Sequence, residues 1–171
     1  MGVLALGYPE EHGGVPGDVF HQIVLAEEMS RCGAGGVVAS LLSHTIGLPP
    51  LVAHASSALQ AKVIPPVIRG EKISALAVTE PTGGSDVAAL QCKAVRDGDH
   101  YVVTGEKVFI TSGMRADFFT VAVRTDPRRV QPSRSCSVRA TTLVARRRSS
   151  STMCSSARLA LDSRTVRGPA P

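Results

Sequence analysis

Residues 76–86 read Leu-Ala-Val-Thr-Glu-Pro-Thr-Gly-Gly-Ser-Asp, and they decide how the rest of the chain is interpreted. From residue 73 to residue 79 every second side chain falls on the same face, a pattern that favours a strand. Pro81 has no N–H to give to a ladder, so we expect the strand to end here. Gly83 and Gly84 can adopt positive φ and leave backbone N–H groups bare, which binds an anion or admits a flat ring. Such a loop alone is more often an ordinary turn.

A second segment, residues 105–113, reads Gly-Glu-Lys-Val-Phe-Ile-Thr-Ser-Gly. Together the two segments resemble the flavin-site signature of the acyl-CoA dehydrogenase family. That signature has a V-T-E-P strand with a Gly-rich turn ending in Ser-Asp, and later G-x-K followed by an aromatic-Ile-Thr triplet. Two matches at family-like spacing are far less frequent by chance than one. Residues 1–14, 26–31 and 64–70 also resemble family stretches that precede the middle-domain strand.

The resemblance implies an FAD site. In the family the first segment contacts the isoalloxazine ring and the ribityl-phosphate arm, and the second packs against the flavin from the other side. Phe109 stands where the family often has Trp, so an aromatic face remains but an indole N–H is lost. Without the resemblance, Phe109 and Ile110 are explained equally well as strand residues of a core. The implied FAD contacts are Val78, Thr79, Gly84, Ser85, Phe109, Ile110 and Thr111, with Thr79 and Thr111 as hydrogen-bonding residues and Ser85 also as a substrate contact.

Turn signals divide the middle of the chain into short strands. Residues 97–99, Asp-Gly-Asp, predict a tight turn between a strand near residues 90–95 and one near residues 101–104. Residues 118–123 alternate again and predict a further strand. We therefore expect residues 73–127 to form part of an antiparallel β-sandwich or barrel, which is the middle β domain that the resemblance implies.

Helical spacing dominates residues 1–72, which we assign to part of an N-terminal helical domain. A first helix is capped by Asp18 and carries Phe20, Ile23 and Val24 on one face. Two more helices are expected, one over residues 38–46 that Gly47 and Pro49-Pro50 end, and one from Ser56-Ser57 to about Pro65. The predicted fold class is therefore α+β, with helices first and a partial β domain second.

Charge changes abruptly at residue 128. Residues 1–127 hold nine Lys or Arg against thirteen Asp or Glu, a net charge of −4, whereas residues 128–171 hold ten Arg and one Asp, a net charge of +9. No family strand is recognised after Val123. We interpret residues 128–171 as a disordered basic tail or as the product of a GC-rich gene read in a shifted frame. The tail lacks the interleaved aromatic residues of base-stacking proteins, so we expect no nucleic-acid partner.

The resemblance also implies a reaction. The family dehydrogenates acyl-CoA thioesters between the α and β carbons in fatty-acid or branched-chain acyl catabolism, and its reduced FAD passes electrons to an electron-transferring flavoprotein. Full-length members form homotetramers or dimers and carry the catalytic glutamate in a C-terminal helical domain. This chain is less than half as long, so we expect a fragment without that domain and assign no catalytic residue. Two alternatives stay open: a flavin- or CoA-binding module without a base, and a protein that acts through its basic tail.

Other functional classes find little support in the sequence. The four cysteines lack C-x-x-C spacing and the five histidines are scattered, so we expect free thiols in a reducing compartment and no metal site. No apolar run is expected to reach the roughly 20 residues that span a bilayer, and the N-terminus lacks a basic region before a hydrophobic stretch. We therefore expect a cytoplasmic protein without a membrane contact.

Overall fold

The computed structural model describes residues 2–97, 100–125, 143–146 and 159–160. Four α-helices are described in the N-terminal part: α1 (Val19–Ser30), α2 (Gly35–Leu42), α3 (Leu48–His54) and α4 (Ser57–Ile68). Short 3-10 turns lie before α1, at Val3–Ala5 and Glu10–His12, and between α2 and α3, at Ser43–Thr45. The predicted N-terminal helical region is therefore confirmed.

Asp18 caps α1 as the sequence predicts. Its Oδ1 accepts hydrogen bonds from the N–H groups of Phe20 at 3.0 Å and His21 at 3.1 Å, and the His21 side chain closes a capping box on the Asp18 N–H. These bonds satisfy donors of the first turn that have no partner within the helix. The predicted apolar face is present but open to solvent, since Phe20, Ile23 and Val24 are all exposed.

Two proline pairs lie within helices of the structure. The helix expected over residues 38–46 does end before Pro49 and Pro50, since α2 ends at Leu42 and the 3-10 turn at Thr45. The same prolines, however, also lie in the first turn of α3, where a missing N–H costs nothing. Pro65 was expected to end a helix, but both Pro65 and Pro66 lie inside α4, which continues to Ile68. The buried residues around them, among which Val67 is fully buried, supply packing that outweighs the lost hydrogen bonds.

The segment Gly35–His54 corrects the expectation about apolar runs. It has 20 residues and a mean hydropathy of 1.5, so it is long and apolar enough to cross a membrane by length and composition. The structure divides this segment into α2, a 3-10 turn and α3, and it buries Leu48 and Leu51 of α3 in the helical core. Only 17% of its most apolar stretch is buried, and both core helices and N-terminal signal sequences have this length and hydropathy, so the segment is only weak evidence for a membrane contact.

Seven short strands are described after the helices: β1 (Ser74–Ala77), β2 (Lys93–Asp97), β3 (His100–Thr104), β4 (Glu106–Lys107), β5 (Phe118–Val121), β6 (Leu143–Arg146) and β7 (Leu159–Ala160). They form three small sheets, with the strand orders β1-β5-β6, β2-β3 and β4-β7. The predicted hairpin is confirmed because β2 and β3 pair antiparallel, although the turn residues 98 and 99 lie outside the described part.

One pairing contradicts the prediction of a wholly antiparallel region. β1 and β5 run parallel, with Ser74 opposite Phe118 and Ala77 opposite Val121. Parallel neighbours need a long crossover rather than a tight turn, and the residues between β1 and β5 provide one. Alternation within a strand reports which face is buried but not the direction of its neighbour, so the sequence could not reveal this pairing.

Two strands lie in the Arg-rich segment that the sequence predicts to be disordered. β6 pairs antiparallel with β5 over four residues, and β7 pairs antiparallel with β4 over two. The prediction of a wholly disordered tail is therefore wrong at these strands, whose few apolar residues stand among many Arg and Ser in the sequence. The rest of that prediction falls on residues outside the described part.

A close junction joins the helices to the three-stranded sheet. The carbonyl O of Gly47 accepts a 2.7 Å hydrogen bond from the Thr120 hydroxyl of β5. A Cβ at Gly47 would overlap Ser74 Oγ and lie 2.8 Å from Ala75 O, so only glycine fits against this backbone. Phe118 also packs against the helical core. The helical region and the sheet therefore share a tightly packed boundary.

Candidate functional site

The two segments that the sequence singles out lie side by side. The Val108 N–H donates a 2.9 Å hydrogen bond to Thr79 O, which links the first segment to the second. Glu80 and Gly83 exchange two backbone hydrogen bonds, at 2.9 and 3.1 Å, and these close the turn after the strand. The hydrogen bond from Val108 therefore joins Thr79 of the first segment to the residue that precedes Phe109 in the second segment.

A buried ion pair reinforces this contact. Lys107 is fully buried and Glu80 is only 4% exposed. The Lys107 Nζ donates to Glu80 Oε1 and to Val78 O, both at 2.9 Å. The Glu80 carboxylate also accepts hydrogen bonds from the N–H groups of Gln91 at 2.6 Å and Cys92 at 2.9 Å. Both charges are therefore paired and hydrogen-bonded, as buried charges need to be.

The environment keeps Glu80 ionised. Burial by itself raises the pKa of a carboxyl group because it penalises the charged form. Hydrogen bonds from Gln91, Lys107 and Cys92 oppose burial, and the net result is a pKa below the ordinary value of 4.5. For the Cys92 thiol, burial is the largest influence and the pKa is raised. At neutral pH, Glu80 is therefore a charged acceptor of hydrogen bonds.

Residues 81–90, here called the Gly-Gly loop, follow the ion-paired glutamate. Neither Gly83 nor Gly84 has positive φ, so the predicted reason for these glycines is wrong. Gly84 instead allows a close approach, because a Cβ there would lie 3.1 Å from the Thr79 side chain. Among the residues that the structure describes, the N–H groups of Gly84 and Ser85 donate no hydrogen bond within the chain, so they are available to a ligand.

The aromatic triplet is divided between solvent and core. Phe109 has a φ of 56°, and the residue is 74% exposed. A bulky residue rarely adopts this left-handed conformation. Ile110 is buried in the core of the β region, whereas Thr111 is exposed. The alternative in which Phe109 and Ile110 both pack as strand residues therefore fails for Phe109, since β4 has already ended at Lys107.

These features fit a flavin. The bare N–H groups of Gly84 and Ser85 suit the phosphate or carbonyl oxygens of such a cofactor. The exposed Phe109 ring offers a flat apolar face, held in a strained conformation of the kind that concentrates at binding sites. Thr79 and Thr111 add hydroxyl groups. Val78 and Ile110 are half-buried and buried, so they support the site through backbone and packing.

The sequence did not reveal what joins the two segments. Glu80 and Lys107 both stood inside the quoted motifs, and opposite charges among apolar strand residues were the available signal for a buried pair. Gly105, the first residue of the second segment, also has a steric role that the sequence does not show. Its φ is 150°, and a Cβ at this position would lie 2.7 Å from Cys92 Sγ, which explains why glycine is needed there.

Elsewhere, the described part of the chain holds apolar cavities. One of about 570 Å³ is lined by the first 3-10 turn and by α1, α2 and α3, and one of about 460 Å³ lies beside α2. Neither is lined by a cofactor candidate of the two segments. Within the described residues, no three His, Cys, Asp or Glu side chains come together as a metal site. Cys32 and Cys92 are free thiols.

Comparison with known proteins finds relatives of both parts of the chain. The family model described as "Acyl-CoA dehydrogenase, N-terminal domain" matches residues 1–71, and the one described as "Acyl-CoA dehydrogenase, middle domain" matches residues 75–155. The chain is 41% identical over 127 residues to the short-chain specific acyl-CoA dehydrogenase of Clostridium acetobutylicum. This match covers 73% of the chain and 33% of the relative, so the chain spans about a third of the length of that relative.

Solved structures give the same result. A probable acyl-CoA dehydrogenase from Mycobacterium abscessus superposes with a TM-score of 0.73 at 44% identity, over 85% of this chain and 37% of that one. An acyl-CoA dehydrogenase complexed with FAD from Bacillus anthracis superposes with a TM-score of 0.71 at 32% identity, over 85% of this chain and 23% of that one. The chain is therefore similar to these proteins in both sequence and fold.

Proposed function

The chain belongs to the acyl-CoA dehydrogenase family, and from this premise we propose that its two segments bind FAD. The proposed reaction is the α,β-dehydrogenation of an acyl-CoA thioester, carried out by a protein in which these residues form N-terminal and middle parts. Bound FAD would supply the acceptor for the hydride of the β carbon. The length and branching of the acyl chain are left open.

The contact between the two segments is the observation that carries this proposal. The 2.9 Å hydrogen bond from Val108 to Thr79 places the exposed Phe109 beside the strand that leads into the Gly-Gly loop. An aromatic face and free backbone donors are thus brought to one edge of the β region. A ligand that combines a flat ring with anionic phosphates, as FAD does, matches this combination.

Each candidate residue has a role in this arrangement. We assign the N–H groups of Gly84 and Ser85 to cofactor oxygens and the Phe109 ring to the flat part of the flavin. The hydroxyl groups of Thr79 and Thr111 would hydrogen-bond to the ring edge. The Ser85 hydroxyl is exposed and would also orient the thioester end of the substrate.

Glu80 is not suited to act as the base that removes the α proton. A general base must come within hydrogen-bond reach of that proton. Glu80 is 4% exposed, and its oxygens already accept bonds from Lys107, Gln91 and Cys92. We therefore propose no catalytic residue within the two segments. This supports a second candidate function, a flavin-binding module without turnover.

The proposed reaction also requires partners. Reduced FAD has to pass its electrons on, and we propose an electron-transferring flavoprotein as the acceptor. We further propose that the intact protein is a homo-oligomer in which the three small sheets belong to a larger β-sandwich or barrel. A cytoplasmic location is supported by cysteines that show neither metal-binding nor paired spacing in the sequence.

Absorption spectroscopy after reconstitution with FAD tests the proposal. We expect the chain to retain flavin once free cofactor is removed. Thr79→Ala and Ser85→Ala should each weaken retention by roughly twofold to tenfold, because each removes one hydrogen bond of about 0.5–1.5 kcal/mol. Ser56→Ala is the matched control, since its hydroxyl makes no capping bond on α4 and belongs to neither segment.

Each outcome of this experiment has a distinct meaning. A folded chain that retains no flavin contradicts the proposed function. Retained flavin that an added acyl-CoA fails to bleach favours the binding module, whereas bleaching by acyl-CoA reveals a base and supports the complete reaction. Equal losses in Ser56→Ala and Ser85→Ala would show that the losses do not arise at the site.

A further inference from the structure

The Glu80–Lys107 ion pair also makes hydrogen bonds to the backbone on both sides of the Gly-Gly loop. Lys107 donates to Val78 O, one residue after β1, and Glu80 accepts from the N–H groups of Gln91 and Cys92, which follow the Gly-Gly loop. The pair therefore touches the chain just before and just after this loop. Because Lys107 also precedes Phe109 by two residues, the same pair fastens the loop to the aromatic segment.

We infer that Glu80 and Lys107 are positioning residues that hold the Gly-Gly loop and Phe109 in the flavin-binding geometry, an inference that rests on the proposed FAD site. Both side chains are buried, so they act through the backbone that they hold and not by touching the cofactor. A bound ligand then meets donors and a ring that are already in place, which lowers the ordering cost of binding.

The other restraints on the Gly-Gly loop are the two backbone bonds between Glu80 and Gly83, bonds within the loop, and hydrogen bonds from Arg124. Residues 81–89 are exposed apart from the half-buried Gly84. Asp86 accepts a hydrogen bond from the Ala88 N–H at 3.1 Å, a bond local to the loop. Arg124 anchors the second half of the loop, because its Nε donates to Leu90 O at 2.9 Å and its Nη2 donates to Ala88 O at 2.5 Å. The ion pair is what joins both ends of the loop to each other.

The Glu80 carboxylate has a hydrogen-bonding capacity that a neutral side chain of the same size lacks. Its two oxygens accept three donors at once, from Lys107, Gln91 and Cys92. A glutamine of the same size has only one acceptor oxygen, and its NH₂ group would face another donor. Glu80→Gln therefore disturbs the arrangement without changing the volume of the side chain.

Hydrogen exchange combined with FAD titration tests the inference. The variants are Glu80→Gln and the double variant Glu80→Gln/Lys107→Met, which leaves no lone buried charge and so protects the fold. The matched control is Arg69→Met/Glu71→Gln, which removes an exposed ion pair of the same charge types with a 2.7 Å separation. Amide exchange is measured for the free chain, and the FAD dissociation constant is measured by flavin fluorescence.

We expect exchange of residues 81–92 to become at least tenfold faster and FAD to bind at least tenfold more weakly in both variants, with α4 unchanged in the double variant, which leaves no lone charge. The control should stay within twofold on both measurements. A merely structural role would speed exchange throughout the double variant, and this result would overturn the inference. So would loop exchange and FAD affinity that stay within twofold of the unsubstituted chain.

Failure of the proposed function is distinguishable from failure of the inference. If the unsubstituted chain binds no FAD, the proposed function is overturned, and the exchange rates still decide whether the pair holds the loop. If the chain binds FAD and the variants bind it equally well, the proposed function stands and the positioning role is rejected.

Discussion

At Lys107, a single buried ammonium group has its charge balanced by one carboxylate. Replacing it in Lys107→Met removes the partner of Glu80 and leaves a charge buried among apolar residues. We predict a loss of about 3–5 kcal/mol in the free energy of unfolding at neutral pH. Urea denaturation followed by circular dichroism measures this loss.

The pH dependence of that loss follows from the lowered pKa of Glu80. In the unsubstituted chain the pair stabilises fully above the unfolded pKa of about 4.5, and this stabilisation disappears as the pH falls through the lower folded value. The difference between the chain and Lys107→Met should therefore shrink in acid. Lys62→Met, on the exposed face of α4, serves as the control and should leave the unfolding midpoint unchanged. An equal midpoint for both variants at neutral pH would contradict the burial of a paired charge.

Residue types indicate candidate site residues only where they form a recognisable motif. Thr79, Ser85 and Phe109 could be selected as candidates because they stand in two motifs at family-like spacing. The left-handed backbone of Phe109 could not be predicted, because nothing in an aromatic-Ile-Thr triplet requires positive φ. The contact between Gly84 and Thr79 likewise depends on how the loop folds back, which is tertiary information.

At the scale of elements, Gly47 controls how closely the helices approach the sheet. Its φ of −82° is ordinary, so the cost of a side chain there is steric alone. Gly47→Ala would place a Cβ 2.8 Å from Ala75 O and against Ser74 Oγ. We predict a destabilisation of about 1–3 kcal/mol, measured by thermal unfolding.

A second glycine provides the control for this prediction. Gly36 lies in α2, and a Cβ there would meet no atom within 4 Å. Gly36→Ala should therefore be neutral or stabilise by about 0.5–1 kcal/mol, because alanine loses less entropy in a helix. A Gly47→Ala variant that is as stable as Gly36→Ala would show that the junction is looser than the structure describes.

Elements whose signals are local could be predicted, and those set by distant contacts could not. Asp18 capping α1 and the β2–β3 hairpin follow from adjacent residues. The continuation of α4 through Pro65 and Pro66 depends on burial against α3 and the first turn, which the sequence does not display. The parallel β1–β5 pair joins strands that are far apart in the chain.

At the scale of the whole molecule, two cores meet at one boundary. One core is formed by α3, α4 and the first 3-10 turn, and the other by the strands together with Ile110 and Ala116. The order of helices before strands was predictable from the change in apolar spacing. The two strands in the Arg-rich segment were not predictable, because the composition of that segment is dominated by Arg and Ser and does not show its short apolar runs.

An FAD site at one edge of the β region, built from the two segments, is central to the proposed function. A backbone-amide NMR titration of the chain with FAD locates binding directly. We predict chemical-shift changes concentrated in residues 78–86 and 108–113, with the amides of α1 and α4 unmoved. Shifts confined to the helices, or no shift at the two segments of a folded chain, would contradict binding at this edge.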